Sequence, residues 1–135
     1  MRKAIILLAV AFTMIFSQGC QSKETVTTPD AVSSYSTNND THLTIVANQE
    51  VTEKEAFAKE LLTMCKENSF HTIKFSTDKG NLTSVTMTVY QDRDSIEGND
   101  PIMRVEYKPI EYGKDYNIID DPDKFELYVD DELIS

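Results

Sequence analysis

The sequence predicts an α+β domain in which one N-terminal helix packs on a mostly antiparallel sheet of four to six strands. One stretch repeats its apolar residues at helical spacing, and several later stretches alternate apolar and polar residues. Strands that alternate in this way bury one face of a sheet, and a single amphipathic helix can cover that face. We expect the order β-α-β-β-β-(β)-β over residues 42–135.

The helix is predicted over residues 53–67. Thr52 and Glu55 have the spacing of a capping box, in which each side chain satisfies a free backbone N–H at the helix start. The apolar stripe consists of Phe57, Ala58, Leu61, Leu62 and Cys65. These residues recur at the helical period, so they should form the buried face of the helix. We expect the helix to end at Asn68 and Ser69.

The strands are predicted from short runs of alternating or β-prone residues. They cover residues 43–47, 70–77, 82–91, 102–110, 125–129 and a short run at 116–119. The second and third runs should form a hairpin across residues 78–81, where Gly80 suits a turn. Pro109 lacks a backbone N–H, so the strand at 102–110 should end there or lie at an edge.

The first 20 residues form a segment distinct from this domain. Met1, Arg2 and Lys3 precede an apolar run over residues 4–16, which has no polar face. The run is shorter than the roughly 20 residues that span a bilayer. A basic start, a short apolar run and small residues before a cut site are typical of a secretory signal peptide, here residues 1–19.

The end of this leader, Phe16-Ser17-Gln18-Gly19-Cys20, resembles the lipobox of bacterial lipoproteins. Gly19 matches the small residue before the cut and Cys20 the acylated residue, whereas Ser17 and Gln18 depart from the usual pattern. The resemblance implies that Cys20 carries fatty acids such as palmitate. It places the domain outside the cytoplasm, on the cell membrane or an outer membrane of the cell envelope. Secretion with a different cut site is the alternative.

Residues 20–41 are rich in Ser, Thr and Asn and poor in apolar side chains. Such a segment buries too little surface to offset its ordering entropy. We therefore expect a flexible tether with a reach of roughly 25 Å.

The charge of the chain restricts its partners. The net charge is −10, and removal of Arg2 and Lys3 leaves 11 basic against 23 acidic side chains, a balance of −12. This excludes nucleic acid, which needs clustered Lys and Arg. It is compatible with a cationic peptide, a basic protein or another envelope protein, and also with a solvated acidic surface that has no partner.

The acidic residues concentrate in the second half, with 14 acidic and five basic residues over 91–135. The predicted binding surface comprises Asp92, Asp94, Glu97, Asp100, Tyr112, Tyr116, Asp120, Asp121 and Asp123. Acidic loops steer a basic ligand and tyrosines are common in interfaces. The alternative is solvated loops, with the tyrosines packed at the sheet margin.

No motif in the sequence predicts catalysis, a metal or a cofactor. Asp92 and Asp94 begin like a calcium loop, but Ile96 and Glu97 stand where an EF-hand needs an oxygen ligand and glycine, so only an irregular calcium site stays open. Cys65 lies on the apolar stripe, and His42 and His71 are far apart in sequence. We predict a non-enzymatic binding or accessory lipoprotein. A structural or envelope-assembly lipoprotein and, less favoured, a small hydrolase are the alternatives.

Overall fold

The computed structural model describes residues 27–37, 40–76 and 80–135, and the strands and helices that follow belong to those residues. The strands are β1 (Asp30–Thr37), β2 (Asp40–Val46), β3 (Ser84–Tyr90), β4 (Met103–Pro109), β5 (Phe125–Val129) and β6 (Glu132–Leu133). Helix α1 (Lys54–Glu67) lies between β2 and β3, and a 3₁₀ turn (Pro122–Lys124) precedes β5. The predicted leader, Cys20 and the beginning of the tether lie outside the described residues. Within the described part, no helix is long and apolar enough to cross a membrane.

The six strands form one sheet in the order β1-β2-β3-β4-β5-β6. Four neighbouring pairs are antiparallel, and β2 and β3 are parallel. The parallel pair requires a crossover between its strands, and α1 lies in that crossover. The α+β class is therefore confirmed, but the helix follows two strands and the sheet is mixed.

Strand β1 occupies part of the predicted tether. It pairs with β2 from Asp30 opposite Val46 to Thr37 opposite Asp40, with a bulge after Ala31. The prediction of a flexible segment up to residue 41 is wrong for Asp30–Thr37. A polar run cannot form a core alone, but pairing with an existing strand satisfies its backbone groups along one edge.

The predicted hairpin between residues 70–77 and 82–91 is also wrong. Strand β3 pairs with β2 and β4, and residues 70–76 form no strand. That segment instead inserts Phe70 into the core, where the side chain is fully buried. The short strand expected at residues 116–119 is a loop, in which Ile118 is buried and donates its N–H to the Leu82 carbonyl.

Helix α1 lies within one residue of its predicted bounds, and all five residues of the predicted apolar stripe are buried. The capping box is not formed, because Glu53 is the N-cap residue and no side chain caps the helix start. The helix ends at Asn68 as expected, in a left-handed conformation.

One face of the sheet contributes to the core and the other is open. Adjacent strands align Leu43, Met87, Val105 and Val129 in one buried row. The register places Tyr35, His42, Thr86, Glu106 and Tyr128 in a row on the opposite face. We call this second surface the open face.

Candidate functional site

Three connections converge at one end of the sheet because β2, β3 and β5 run in the same direction. They are residues 47–53, 91–102 and 130–131. Together these connections carry Glu50, Glu53, Asp92, Asp94, Glu97, Asp100, Asp130 and Asp131. We call this region the acidic end. The sequence analysis missed Glu50 and Glu53, because acidic and basic residues almost balance in the stretch that contains them. These two residues come near the other carboxylates only in the folded chain.

The structure does not bring the nine predicted site residues into one surface. Asp92, Asp94, Glu97 and Asp100 lie at the acidic end, whereas Tyr112, Tyr116, Asp120, Asp121 and Asp123 lie in the β4–β5 connection. Successive connections between antiparallel neighbours alternate between the two ends of a sheet. Strands of this length hold the two groups roughly 20 Å apart.

Two carboxylates of the β4–β5 connection, Asp120 and Asp121, stabilise that connection. Asp121 accepts a hydrogen bond from the Asn117 N–H at 3.0 Å, and Asp120 accepts one from the Asn117 side chain at 2.9 Å. The Asn117 side-chain oxygen in turn accepts from the Asp120 N–H. The Lys124 ammonium lies 5.8 Å from the ring centre of Tyr116. These groups already have partners within the loop, so they are poor candidates for ligand contacts.

A groove of about 810 Å³ opens beside the acidic end. Its apolar lining includes Pro29, Val46 and Met64, which are buried or half-buried. Its charged lining includes the exposed residues Asp92, Arg93 and Asp94. An apolar floor with a mainly acidic rim suits a ligand that carries both basic and apolar groups.

Asp30, which also lines the groove, is already engaged. Its carboxylate accepts hydrogen bonds from the backbone N–H groups of His71 at 2.8 Å and Thr72 at 3.2 Å, and from the Thr72 hydroxyl. Partial burial acts to raise the pKa of Asp30, but the hydrogen bonds from Thr72 and His71 outweigh it and hold the pKa below its ordinary value. This carboxylate links β1 to the crossover and is not free for a ligand.

Asp92 and Asp94 keep capacity for a ligand. One oxygen of Asp92 accepts hydrogen bonds from the N–H and hydroxyl of Ser95 at 2.9 and 2.7 Å, which shapes the loop. Neither carboxylate forms an ion pair with any described residue. Asp130, by contrast, pairs with Lys54 at 2.9 Å and accepts the Arg104 N–H. Asp92 and Asp94 are thus the carboxylates that a cation can reach beside the apolar floor.

The open face carries a second polar network, which sequence reasoning did not find. The Tyr35 and His42 rings stack at 4.7 Å. Glu106 lies between Arg104 and Lys108, each at 3.3 Å. The alternation of polar residues along the strands placed these side chains on one face, but the register that pairs them follows only from the fold.

A hydrolase needs a serine or cysteine that a neighbouring base activates. The Ser84 hydroxyl donates to the Asp40 carboxylate, while the His42 ring stacks on Tyr35, so these residues do not have the serine–histidine contact of a triad. Cys65 is only 3% exposed, and burial raises the pKa of its thiol to about 12 against a smaller lowering by Lys66. Among the described residues, no group of three His, Cys, Asp or Glu side chains is placed to hold a metal ion.

Comparisons of the chain with protein-family models, with curated proteins and with solved structures found no match.

Proposed function

We propose that this chain is a lipid-anchored extracytoplasmic binding protein whose acidic end takes up a cationic peptide or a basic segment of a protein. The observation that supports it is a groove with an apolar floor and with Asp92 and Asp94 at its rim, at the end of the sheet where three acidic connections converge. The role requires no catalysis. A solvated acidic surface without a partner is the simplest alternative, and the proposal goes beyond it because Asp92 and Asp94 line a groove.

The lining of the groove indicates the chemistry of the ligand. Basic side chains of the ligand contact Asp92 and Asp94, and an apolar side chain packs against the half-buried Met64. Arg93 at the same rim disfavours an entirely cationic ligand. The best fit is therefore an amphipathic basic peptide, attracted over distance by the net charge and held by apolar contact.

The point at which the chain enters the domain favours a ligand near the membrane. Asp30 pairs with Val46, so β1 begins at the acidic end. If Cys20 carries lipid, residues 21–29 can span at most about 30 Å between the anchor and β1. The groove would then lie within that distance of the headgroups, where amphipathic cationic peptides accumulate.

The test is binding of a labelled peptide of lysine and leucine residues to the full chain in vesicles of neutral lipid. We expect affinity to fall as salt increases, because exposed charges are screened. Replacing Asp92 and Asp94 by Asn should weaken binding about five- to thirtyfold, since each exposed charge contact is worth roughly 0.5–1 kcal/mol. Asn at position 92 keeps the oxygen that accepts from Ser95.

The matched control removes the same charge at the opposite end of the sheet. Glu111→Gln with Asp115→Asn changes two exposed carboxylates of the β4–β5 connection and should leave affinity unchanged. Equal weakening by both double variants would show that only net charge matters. If affinity depended neither on salt nor on either double variant, the result would contradict the proposed site.

A further inference from the structure

The two edges of the sheet are built differently. Strand β6 is two residues long, contains Glu132 and follows Asp130 and Asp131, so this edge is short and charged. These are the features by which proteins prevent a sheet edge from pairing with another chain. Strand β1 is eight residues long, and residues 33–37 are exposed. After the bulge at its start it contains no charge and no proline.

We propose that the β1 edge pairs with the β1 edge of a second copy of this chain, giving a symmetric dimer with one continuous sheet. Strand β1 bonds to β2 on one side and is the terminal strand of the described sheet on the other. Backbone groups on its outer side are therefore available to another strand. The inference does not depend on peptide binding.

Charge favours the β1 edge over the acidic end as the place where two copies meet. Two chains of net charge −10 repel each other, and the repulsion is strongest where acidic regions meet. From Ala31 to Thr37 the β1 edge has no charged side chain, so two copies can approach there without bringing carboxylates together.

The antiparallel arrangement is the one that a two-fold axis allows when the axis is perpendicular to the sheet. With the axis near Ser34, the Asp30 side chains lie at opposite ends of the paired strands. Their separation of roughly 25 Å exceeds the screening length at physiological salt. A parallel pair would place them side by side.

Tyr35 supplies a contact across the same axis. It is 63% exposed, although its ring stacks on His42. With the axis near Ser34, the two Tyr35 residues become diagonal neighbours on the open face. Aromatic side chains reach each other at that spacing, roughly 7–8 Å. Pairing would therefore cover a large exposed ring as well as the backbone edge.

The experiment introduces a negative or a positive charge at Ser34. This residue is exposed, and its side chain forms no hydrogen bond with the described residues. Full chains with two different tags are produced together and extracted in non-ionic detergent, and co-purification of one tag with the other is measured. Wild-type copies should co-purify. Ser34→Glu copies, and separately Ser34→Lys copies, should lose most of that association, because like charges meet at the axis. A Ser34→Glu copy with a Ser34→Lys copy should recover it.

Glu132→Lys on the opposite edge is the matched control and should co-purify as the wild type does. Protection of the buried Cys65 thiol checks that each variant is folded. Wild-type copies that do not co-purify would overturn the proposal. The proposal would also be overturned if the Ser34→Glu or Ser34→Lys copies co-purified as well as the wild type does. The same holds if folded Ser34→Glu and Ser34→Lys copies did not co-purify with each other.

Discussion

At the scale of single residues, Cys65 shows how position on a helix determines chemistry. Its place on the apolar stripe predicts burial, and the structure confirms it at 3% exposure. The reactive form of cysteine is the thiolate, and a thiol whose pKa is raised to about 12 is almost entirely protonated at neutral pH. Cys65 therefore packs as a small apolar side chain.

This predicts a thiol count that also tests the anchor. In the full chain purified from membranes, a thiol reagent at neutral pH should find no reactive thiol in the folded protein. In denaturant it should find one, Cys65, because the lipid that we propose on Cys20 would block the sulfur of that residue. Cys65→Ala should abolish the signal. Two thiols in denaturant would contradict lipidation of Cys20, and rapid reaction in the folded state would contradict the burial of Cys65.

At the scale of elements, Asn68 joins the end of α1 to the crossover that follows. Its backbone is left-handed, with φ 54° and ψ 42°. Its side-chain oxygen accepts the Phe75 N–H at 2.8 Å, and its side-chain nitrogen donates to the Phe75 carbonyl at 3.1 Å. The residue thus ends the helix and holds the segment that replaces the predicted strand.

Two substitutions separate these roles. Asn68→Gly keeps the backbone unstrained but removes both side-chain hydrogen bonds, so it should lower the free energy of unfolding by about 1–2 kcal/mol. Asn68→Ala should lower it by about 1 kcal/mol more, because alanine is strained in the left-handed region. Urea unfolding measures both. A glycine variant as stable as the wild type would show that the contacts to Phe75 add nothing.

At the scale of the whole molecule, two carboxylates connect distant parts of the chain. Asp30 links β1 to the crossover, and Asp130 links β5 to Lys54 at the start of α1. Burial acts to raise the pKa of Asp130, but the hydrogen bonds from Lys54 and the Arg104 N–H outweigh it and lower the pKa. Since both pKa values are lowered in the fold, both links are complete above the unfolded pKa, near 3.8, and are lost as pH falls through the folded values.

Stability should therefore fall as pH decreases below about 5, as the two carboxylates take up protons. The double variant Asp30→Asn with Asp130→Asn should be less stable than the wild type at neutral pH. The difference between them should shrink towards pH 3. Urea unfolding over this pH range measures it. Asp131→Asn, at an exposed neighbouring position, is the control and should follow the wild-type curve. If the difference in unfolding free energy between the double variant and the wild type did not change with pH, protonation of these two carboxylates would not explain the acid sensitivity.

The helix and four of the strands were predictable because their signals are local. The period of apolar residues identified α1, and alternation identified the buried faces of β3, β4 and β5. Strand β1 was not predictable in this way. Its serine-rich sequence has little apolar surface, and its stability comes from pairing with β2, including the contact between the Ser36 and Thr41 hydroxyls.

For the candidate site, too, local features were predictable from the sequence and the grouping of residues was not. The sequence by itself determined that Asp92 and Asp94 are exposed loop residues, that Cys65 is buried, and that the chain carries a large negative charge. Only the tertiary structure decided which charges share a surface. Strand direction places residues 47–53, 91–102 and 130–131 at one end and sends residues 110–124 to the other. The direction of a strand depends on its partners in the sheet, and local periodicity carries no information about those partners.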